Sequence, residues 1–373
     1  MKRKIAFIFG TRPEIIKMSP IIRQCIKNKI PFFMVHTGQH YSHSMSDLFL
    51  EELKLPEPDY NLKIRSKAPH RQGEHTGKMM VKLDEILLKE MPSVVLVQGD
   101  TNSALAGALT ASKISTTKAF TGFEIKVGHV EAGLRSYDRT MPEEINRVII
   151  DHLSDYLFVP SVDAKKIVLS EGIKKEKIWV TGNTIVDAAY HARDLNANTR
   201  DKRRWTKGEG YILLTLHRQE NVDDKIRLKK ILQGVEQVSK KHKLTVIFPI
   251  HPRTMNKIEI FKIAMPRSVD IVKPKGFLDF IRLESRADLI LTDSGGLQEE
   301  ACALRIPCVT LRNSTERPET VDAGANMVAG IEPENIVRCA DRMLSAKKNW
   351  GNPFGSGKAA IKILDILKKD NNI

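Results

Sequence analysis

The sequence predicts an α/β protein made of two Rossmann-like, doubly wound parallel-sheet domains. Three observations carry this. Short apolar, β-branched runs alternate with amphipathic stretches of helical period, the pattern of successive β–α–β units. The runs are apolar almost throughout rather than at every second residue, as in strands covered by helices on both faces. The alternation runs for the first half of the chain, pauses, and restarts.

The first set of strands is expected at Ile5–Phe9, Phe32–Thr37, Val94–Gln98, Lys126–Val130, Tyr156–Pro160 and Ile178–Thr181. The second is expected at Tyr211–Leu216, Leu244–Ile250, Ile271–Lys273, Leu289–Thr292 and Cys308–Leu311. Helices fit between them at Pro13–Lys27, Gly77–Lys89, Ser103–Ser112, Pro142–Leu153, Leu228–Lys240 and Leu297–Leu304. The pause is Asp187–Gly210, which is charged and lacks an apolar strand. The expected domains are therefore 1–185 and 186–355. Residues 356–373 form a last helix expected to pack back on the first domain.

Composition narrows the function classes. The chain has 373 residues, of which 41% are hydrophobic and 28% charged, enough to bury cores in two domains. The N-terminal apolar run before Gly10 is too short for a signal peptide, and no segment approaches a membrane span. Cys25, Cys302, Cys308 and Cys339 form no CxxC pair, so buried thiols in a reducing, cytoplasmic setting are expected. The net charge of +15 comes from lysines scattered over helical segments such as Lys225–Lys241. No zinc finger, basic zipper or RNP signature accompanies them, so nucleic acid is not an expected partner. His36, His40 and His43 fall close together, but no cysteine or carboxylate completes a metal set, and a polar loop is the better account.

No G-x-G-x-x-G follows the first strand, and there is no P-loop. Ligands of open parallel sheets bind at the carboxyl ends of the strands, so the residues there are the candidates. The first strand ends in Gly10-Thr11-Arg12-Pro13-Glu14, followed by Lys17. This places Arg12 and Lys17 in the first turns of a helix, where the backbone favours anions. Val94–Gln98 ends in Gly99-Asp100-Thr101, where an acid could also be a helix cap. Lys126–Val130 leads into Glu131-Ala132-Gly133-Leu134-Arg135, and a glutamate there is poorly explained by packing. In Pro142-Glu143-Glu144-Ile145-Asn146-Arg147, Glu143 and Arg147 share a helix face at i,i+4.

The second domain offers His217-Arg218-Gln219-Glu220-Asn221 after one strand and Asp293-Ser294-Gly295-Gly296, with Glu300, after another. Small residues at a helix start expose backbone N–H groups to a diphosphate, and Glu300 could accept both hydroxyls of a ribose.

With these segments assembled, the sequence resembles the non-hydrolysing UDP-N-acetylglucosamine 2-epimerases over nearly its whole length. Thr181-Gly182-Asn183-Thr184 and Thr315-Glu316-Arg317-Pro318-Glu319 complete the set of motifs. The resemblance implies a GT-B-like fold with the active site in a cleft between the domains, and a cytoplasmic homodimer. It implies interconversion of UDP-GlcNAc and UDP-ManNAc without a cofactor or metal. It implies Asp100, Glu131, Glu143, His217, Lys17 and Arg147 as catalytic residues. It implies Arg12, Lys17, Arg135, His217, Phe280, Ser294, Gly295, Gly296, Glu300 and Arg317 as substrate contacts, with Phe280 at the uracil. By itself Phe280 reads as core. Gln39, His40, Arg71, Gln72, Arg218 and His251 match positions where bacterial members bind a second, activating UDP-GlcNAc. Ser115–Glu124 is longer than the family's usual connection, and a tolerated surface insertion is expected there. A glycosyltransferase of like architecture, a hydrolysing epimerase and a UDP-sugar sensor are the competing readings.

Overall fold

The computed structural model describes residues 4–39, 50–64, 71–197 and 210–370. Within it the chain forms two compact units, Met1–Ala188 with Phe354–Ile373, and Ala189–Pro353.

The first unit is built on a sheet of seven strands: β1 Ile5–Phe9, β2 Phe32–His36, β3 Tyr60–Asn61, β4 Val94–Gln98, β5 Lys126–Val130, β6 Tyr156–Val159 and β7 Ile178–Val180. Their order is β3-β2-β1-β4-β5-β6-β7, and every neighbouring pair is parallel. The central strands are buried from end to end, as the continuous apolar runs require.

The second unit repeats the plan with β8 Tyr211–Thr215, β9 Thr245–Pro249, β10 Val269–Val272, β11 Leu289–Thr292, β12 Cys308–Thr310 and β13 Asn326–Val328. Its order is β10-β9-β8-β11-β12-β13, again wholly parallel. Each sheet therefore reverses its winding once, between β1 and β4 and between β8 and β11. Successive loops diverge at those two places and leave room for a ligand.

Two edge strands escape the sequence pattern. β3 has two residues and β13 three, too short to show a period. The stretch read as a pause begins inside a helix, Thr184–Ala197, and the division into units falls within that helix. Asp187 on this helix accepts from the backbone N–H of Ala359 (3.2 Å) and Ala360 (2.9 Å). It thereby holds the start of the helix Ala359–Lys369, which packs on the helix Arg12–Lys27. The Ser115–Glu124 segment ends one helix and forms a short second one, Lys118–Thr121, closed by Gly122 and a Lys118–Glu124 ion pair. All four cysteines are buried free thiols. Among the described residues, no helix is long and apolar enough to cross a membrane.

Candidate active site

The β1 loop is shaped by a buried glutamate. Glu14 closes a capping box on the helix Arg12–Lys27. Its Oε2 accepts from the N–H of Gly10 (3.0 Å), the N–H of Thr11 (2.8 Å) and the Thr11 hydroxyl (2.8 Å). Its Oε1 takes the Thr101 hydroxyl at 2.7 Å, which ties the β1 loop to the β4 loop. Burial pushes this carboxyl up to about 7, although the hydrogen bonds from Thr101, Gly10 and Thr11 oppose it. Gly10 has no room for a side chain: a Cβ there would lie 2.1 Å from Thr37 Oγ1 and 2.2 Å from Ser103 Oγ. Arg12 is thereby fixed in the first turn of its helix, exposed.

Lys17, one turn on, forms an ion pair with Glu131 Oε2. That oxygen also accepts from Asn183 Nδ2 at 3.2 Å. Glu131 directly follows β5 in the left-handed region, with φ 71°. A non-glycine residue held there costs on the order of 1–3 kcal/mol, so the surrounding structure must enforce it. Asp100, at the end of β4, pairs with Arg147 at 2.6 Å. Arg147 also holds Glu144 at 2.8 Å, and Asn146 donates to the Asp100 carbonyl at 2.8 Å.

Thus Lys17 comes from the helix Arg12–Lys27, Asp100 and Glu131 from the loops after β4 and β5, and Arg147 from the helix Pro142–Leu153, all near the β1/β4 switch point. Glu143 lies exposed on that helix. Its neighbour Glu144 is buried, accepting from the N–H of Ser136 and Tyr137 at 2.9 Å each. Helical spacing paired Arg147 with the residue four back. The structure shows Arg147 paired with the residue three back, and with an acid from a different loop.

Arg135 occupies a different setting from the one expected of a substrate contact. Its side chain is 1% exposed and is held by Asp151 (2.7 Å) and Glu171 (2.6 Å). Gln39 accepts from the Ser103 N–H at 3.0 Å, and Asn102 Nδ2 donates to Gln72 Oε1 at 2.5 Å. Both glutamines therefore touch the start of the helix that follows Asp100. Arg71 is exposed and paired with Glu74 at 2.7 Å. His36 is buried with its ring edge-on to Phe9, whereas His40 and His43 lie outside the described residues.

In the second unit the β8 and β11 loops meet through Asp293. Fully buried, Asp293 accepts from the N–H of His217 (3.1 Å), the N–H of Arg218 (3.0 Å) and Asn221 Nδ2 (3.3 Å). It also pairs with His217 Nδ1 at 3.1 Å. Burial pushes this carboxyl up, but the His217 ring and the two backbone donors outweigh it and hold it below the usual range. With Nδ1 engaged, Nε2 is the His217 atom left for a ligand. The His251 ring lies 6.4 Å away, its pKa lowered by burial and by His217.

Ser294 caps the helix Gly295–Leu304. A Cβ on Gly296 would meet only open space, so packing does not demand glycine there, whereas close approach of a ligand to the backbone would. Glu300 lies one turn in, beside the fully buried Glu284. Burial, more than the neighbouring Glu300 charge, pushes the Glu284 carboxyl well up. Phe280 is half-buried against the core. Arg317 forms a buried ion pair with Glu299, and Arg312 links Glu220 (2.5 Å) to Glu316 (2.8 Å). Burial raises the Glu316 carboxyl, but Arg312 prevails and takes it to about 2.

The supporting acids Glu14, Glu144, Asp151, Asp293, Glu284 and Glu299 are absent from the sequence-derived site. Glu14, Glu144 and Asp293 lie inside the quoted motifs, whereas Asp151, Glu284 and Glu299 lie outside them. No group of three or more His, Cys, Asp or Glu among the described residues is arranged to hold a metal ion.

Two parallel α/β units, each with ionic residues gathered at its switch point, define an enzyme of the Rossmann-like, GT-B-like class. The chain belongs to the UDP-N-acetylglucosamine 2-epimerase family, whose model matches residues 24–368, and is an epimerase. The UDP-N-acetylglucosamine 2-epimerase of Methanocaldococcus jannaschii is 50% identical over 372 residues, 98% of each chain. The structure of UDP-GlcNAc 2-epimerase from that organism, in complex with UDP-GlcNAc and UDP, matches with a TM-score of 0.87 and covers 98% of this chain and 99% of its own. A relative from Pseudomonas aeruginosa, UDP-2,3-diacetamido-2,3-dideoxy-D-glucuronate 2-epimerase, is 38% identical over 370 residues, 98% of this chain and 99% of its own.

Proposed function

We propose that this chain interconverts UDP-GlcNAc and UDP-ManNAc by eliminating UDP and adding it back. The C2 proton of the sugar has no adjacent carbonyl to acidify it, so direct abstraction faces a high barrier. Elimination removes that difficulty. The C1–O bond to the diphosphate breaks and its electron pair leaves with UDP. The C2 proton passes to a carboxylate, and 2-acetamidoglucal forms with a C1–C2 double bond. Protonation of C2 on the other face and attack of the diphosphate on C1 give the epimer.

The observation that carries this reading is the pairing of Asp100 with Arg147 and of Glu131 with Lys17 at one switch point. Carboxylates and cations side by side supply proton transfer and charge stabilisation together. Asp100, Glu131 and Glu143 serve C2. Arg12, Lys17, Arg147 and His217 stabilise the departing diphosphate, with the backbone of Ser294, Gly295 and Gly296. Glu300 takes the ribose, and Phe280 the uracil. Arg135 and Arg317 act by holding loops in place. The family resemblance further supports a cytoplasmic homodimer, and activation by a second substrate molecule at Gln39, His40, Arg71, Gln72, Arg218 and His251.

The test is incubation with UDP-GlcNAc in deuterated water, followed by NMR. UDP-ManNAc carrying deuterium at C2 is the expected product. Free ManNAc would instead show hydrolysis, and an unchanged sugar would leave a transferase or a sensor.

A further inference from the structure

Asp100 and Glu131 leave neighbouring strands, and one buried side chain braces both departures. His129, on β5, is 1% exposed. Its Nε2 lies 2.8 Å from the carbonyl oxygen of Gly99, the residue before Asp100. Its Nδ1 lies 2.6 Å from Asp151 Oδ1. The other oxygen of Asp151 accepts from the N–H of Gly133, two residues past Glu131, at 3.1 Å. The Gly99 N–H donates to the Val130 carbonyl at 3.1 Å, closing the circuit between the two loops.

The hydrogen count decides the state of the ring. A carbonyl oxygen can only accept. The second oxygen of Asp151 takes both the Gly133 N–H and the Arg135 guanidinium, which leaves the group acceptor-only, as a carboxylate is. Both partners therefore require an N–H, and a neutral imidazole has one. The surrounding charges fit a second proton. Asp151 comes from the helix Pro142–Leu153, Arg135 from the loop after β5, and Glu171 from the end of the helix Val162–Ser170. A cationic His129 joins Arg135 against Asp151 and the partly exposed Glu171, which the exposed His152 also approaches at 3.8 Å. Beyond the loops stand the Asp100–Arg147 and Glu131–Lys17 pairs.

We infer that His129 is a buried imidazolium whose two N–H groups clamp the Asp100 turn to the Glu131 turn, a positioning residue for the epimerisation proposed above. The inference rests on that proposal. His129 does not reach the sugar. It fixes the distance between two carboxylates that must act on one carbon, and a misplacement of about 1 Å costs on the order of 10²-fold in rate.

Two measurements test it. In the wild-type enzyme, ¹⁵N NMR of the His129 ring at pH 7.5 should show hydrogen on both nitrogens. A neutral tautomer overturns the inference whatever the variants do. In His129→Gln, kcat should fall about 10²-fold with KM within a few-fold. Adding Asp100→Asn to that variant should lower kcat by much less than the product of the two single losses. Impaired Asp100→Asn and Glu131→Gln beside a fully active His129→Gln would overturn the assignment of His129 alone. Full activity in Asp100→Asn and Glu131→Gln would overturn the reading of the site beneath it.

Discussion

Replacing Glu14 with glutamine should change stability by an amount set by pH. The Glu14 carboxyl is fully buried and is moved from 4.5 to about 7. One pKa unit corresponds to about 1.4 kcal/mol, so the ionised side chain burdens the fold by on the order of 3 kcal/mol. The sign follows from where protons reside. Below pH 4.5 the acid is neutral in both folded and unfolded chains, and the full contribution to stability is present. Between pH 4.5 and 7 the unfolded chain loses this proton while the folded one keeps it, so stability falls by about 1.4 kcal/mol per pH unit. Above pH 7 the loss is complete. Glutamine stays neutral at every pH. Its oxygen can accept from Gly10 and Thr11, and its amide can donate to Thr101. Glu14→Gln should therefore lie close to wild type at pH 5 and exceed it by about 2–3 kcal/mol at pH 8.5. Urea unfolding at both pH values measures this, with amide exchange of the helix Arg12–Lys27 reporting the transition of the first unit. A stability difference that does not grow with pH would refute the reasoning.

Other outcomes follow from the same contacts. Asp100→Asn, Glu131→Gln and His217→Asn should each lose about 10²–10³ in kcat with the fold intact, by steady-state assay of purified protein. Asp293→Asn should lower kcat because one oxygen that orients His217 and the β8 backbone becomes a donor; unchanged turnover would separate His217 from the chemistry. Gly10→Ala should destabilise by about 1–3 kcal/mol in denaturant, since Thr37 and Ser103 occupy the space of the new methyl. Arg317→Leu should cost about 3–5 kcal/mol by leaving Glu299 buried without its counter-charge, and Glu299→Gln in the same chain should recover part of that loss.

The fold class was legible because parallel strands covered on both faces are apolar almost throughout, and β1, β4 and β11 coincide with their apolar runs. β3 and β13 were not, because an edge strand of two or three residues carries too few side chains to show a pattern. The loops bearing Arg12, Asp100, Glu131, His217 and Ser294 could be located because strand ends are visible in sequence. The partners of those residues could not. Arg147 meets Asp100 from a loop more than forty residues away, a neighbour that helical spacing does not reveal. Glu14 and Asp293 stand in the quoted motifs with no role of their own, and only the folded chain shows how many donors converge on each.

The Ser115–Glu124 segment enters β5 at its first residue, Lys126. In a parallel sheet every such return lands at the amino ends of the strands, whereas Asp100 and Glu131 depart from the carboxyl ends. Five residues of β5 separate the two, a span of roughly 16 Å. Extra chain added there changes the floor of the sheet and stays at the end opposite Asp100 and Glu131. A fusion tag or a labelled cysteine placed on that rim should therefore leave turnover unchanged, which a steady-state assay of the tagged protein checks.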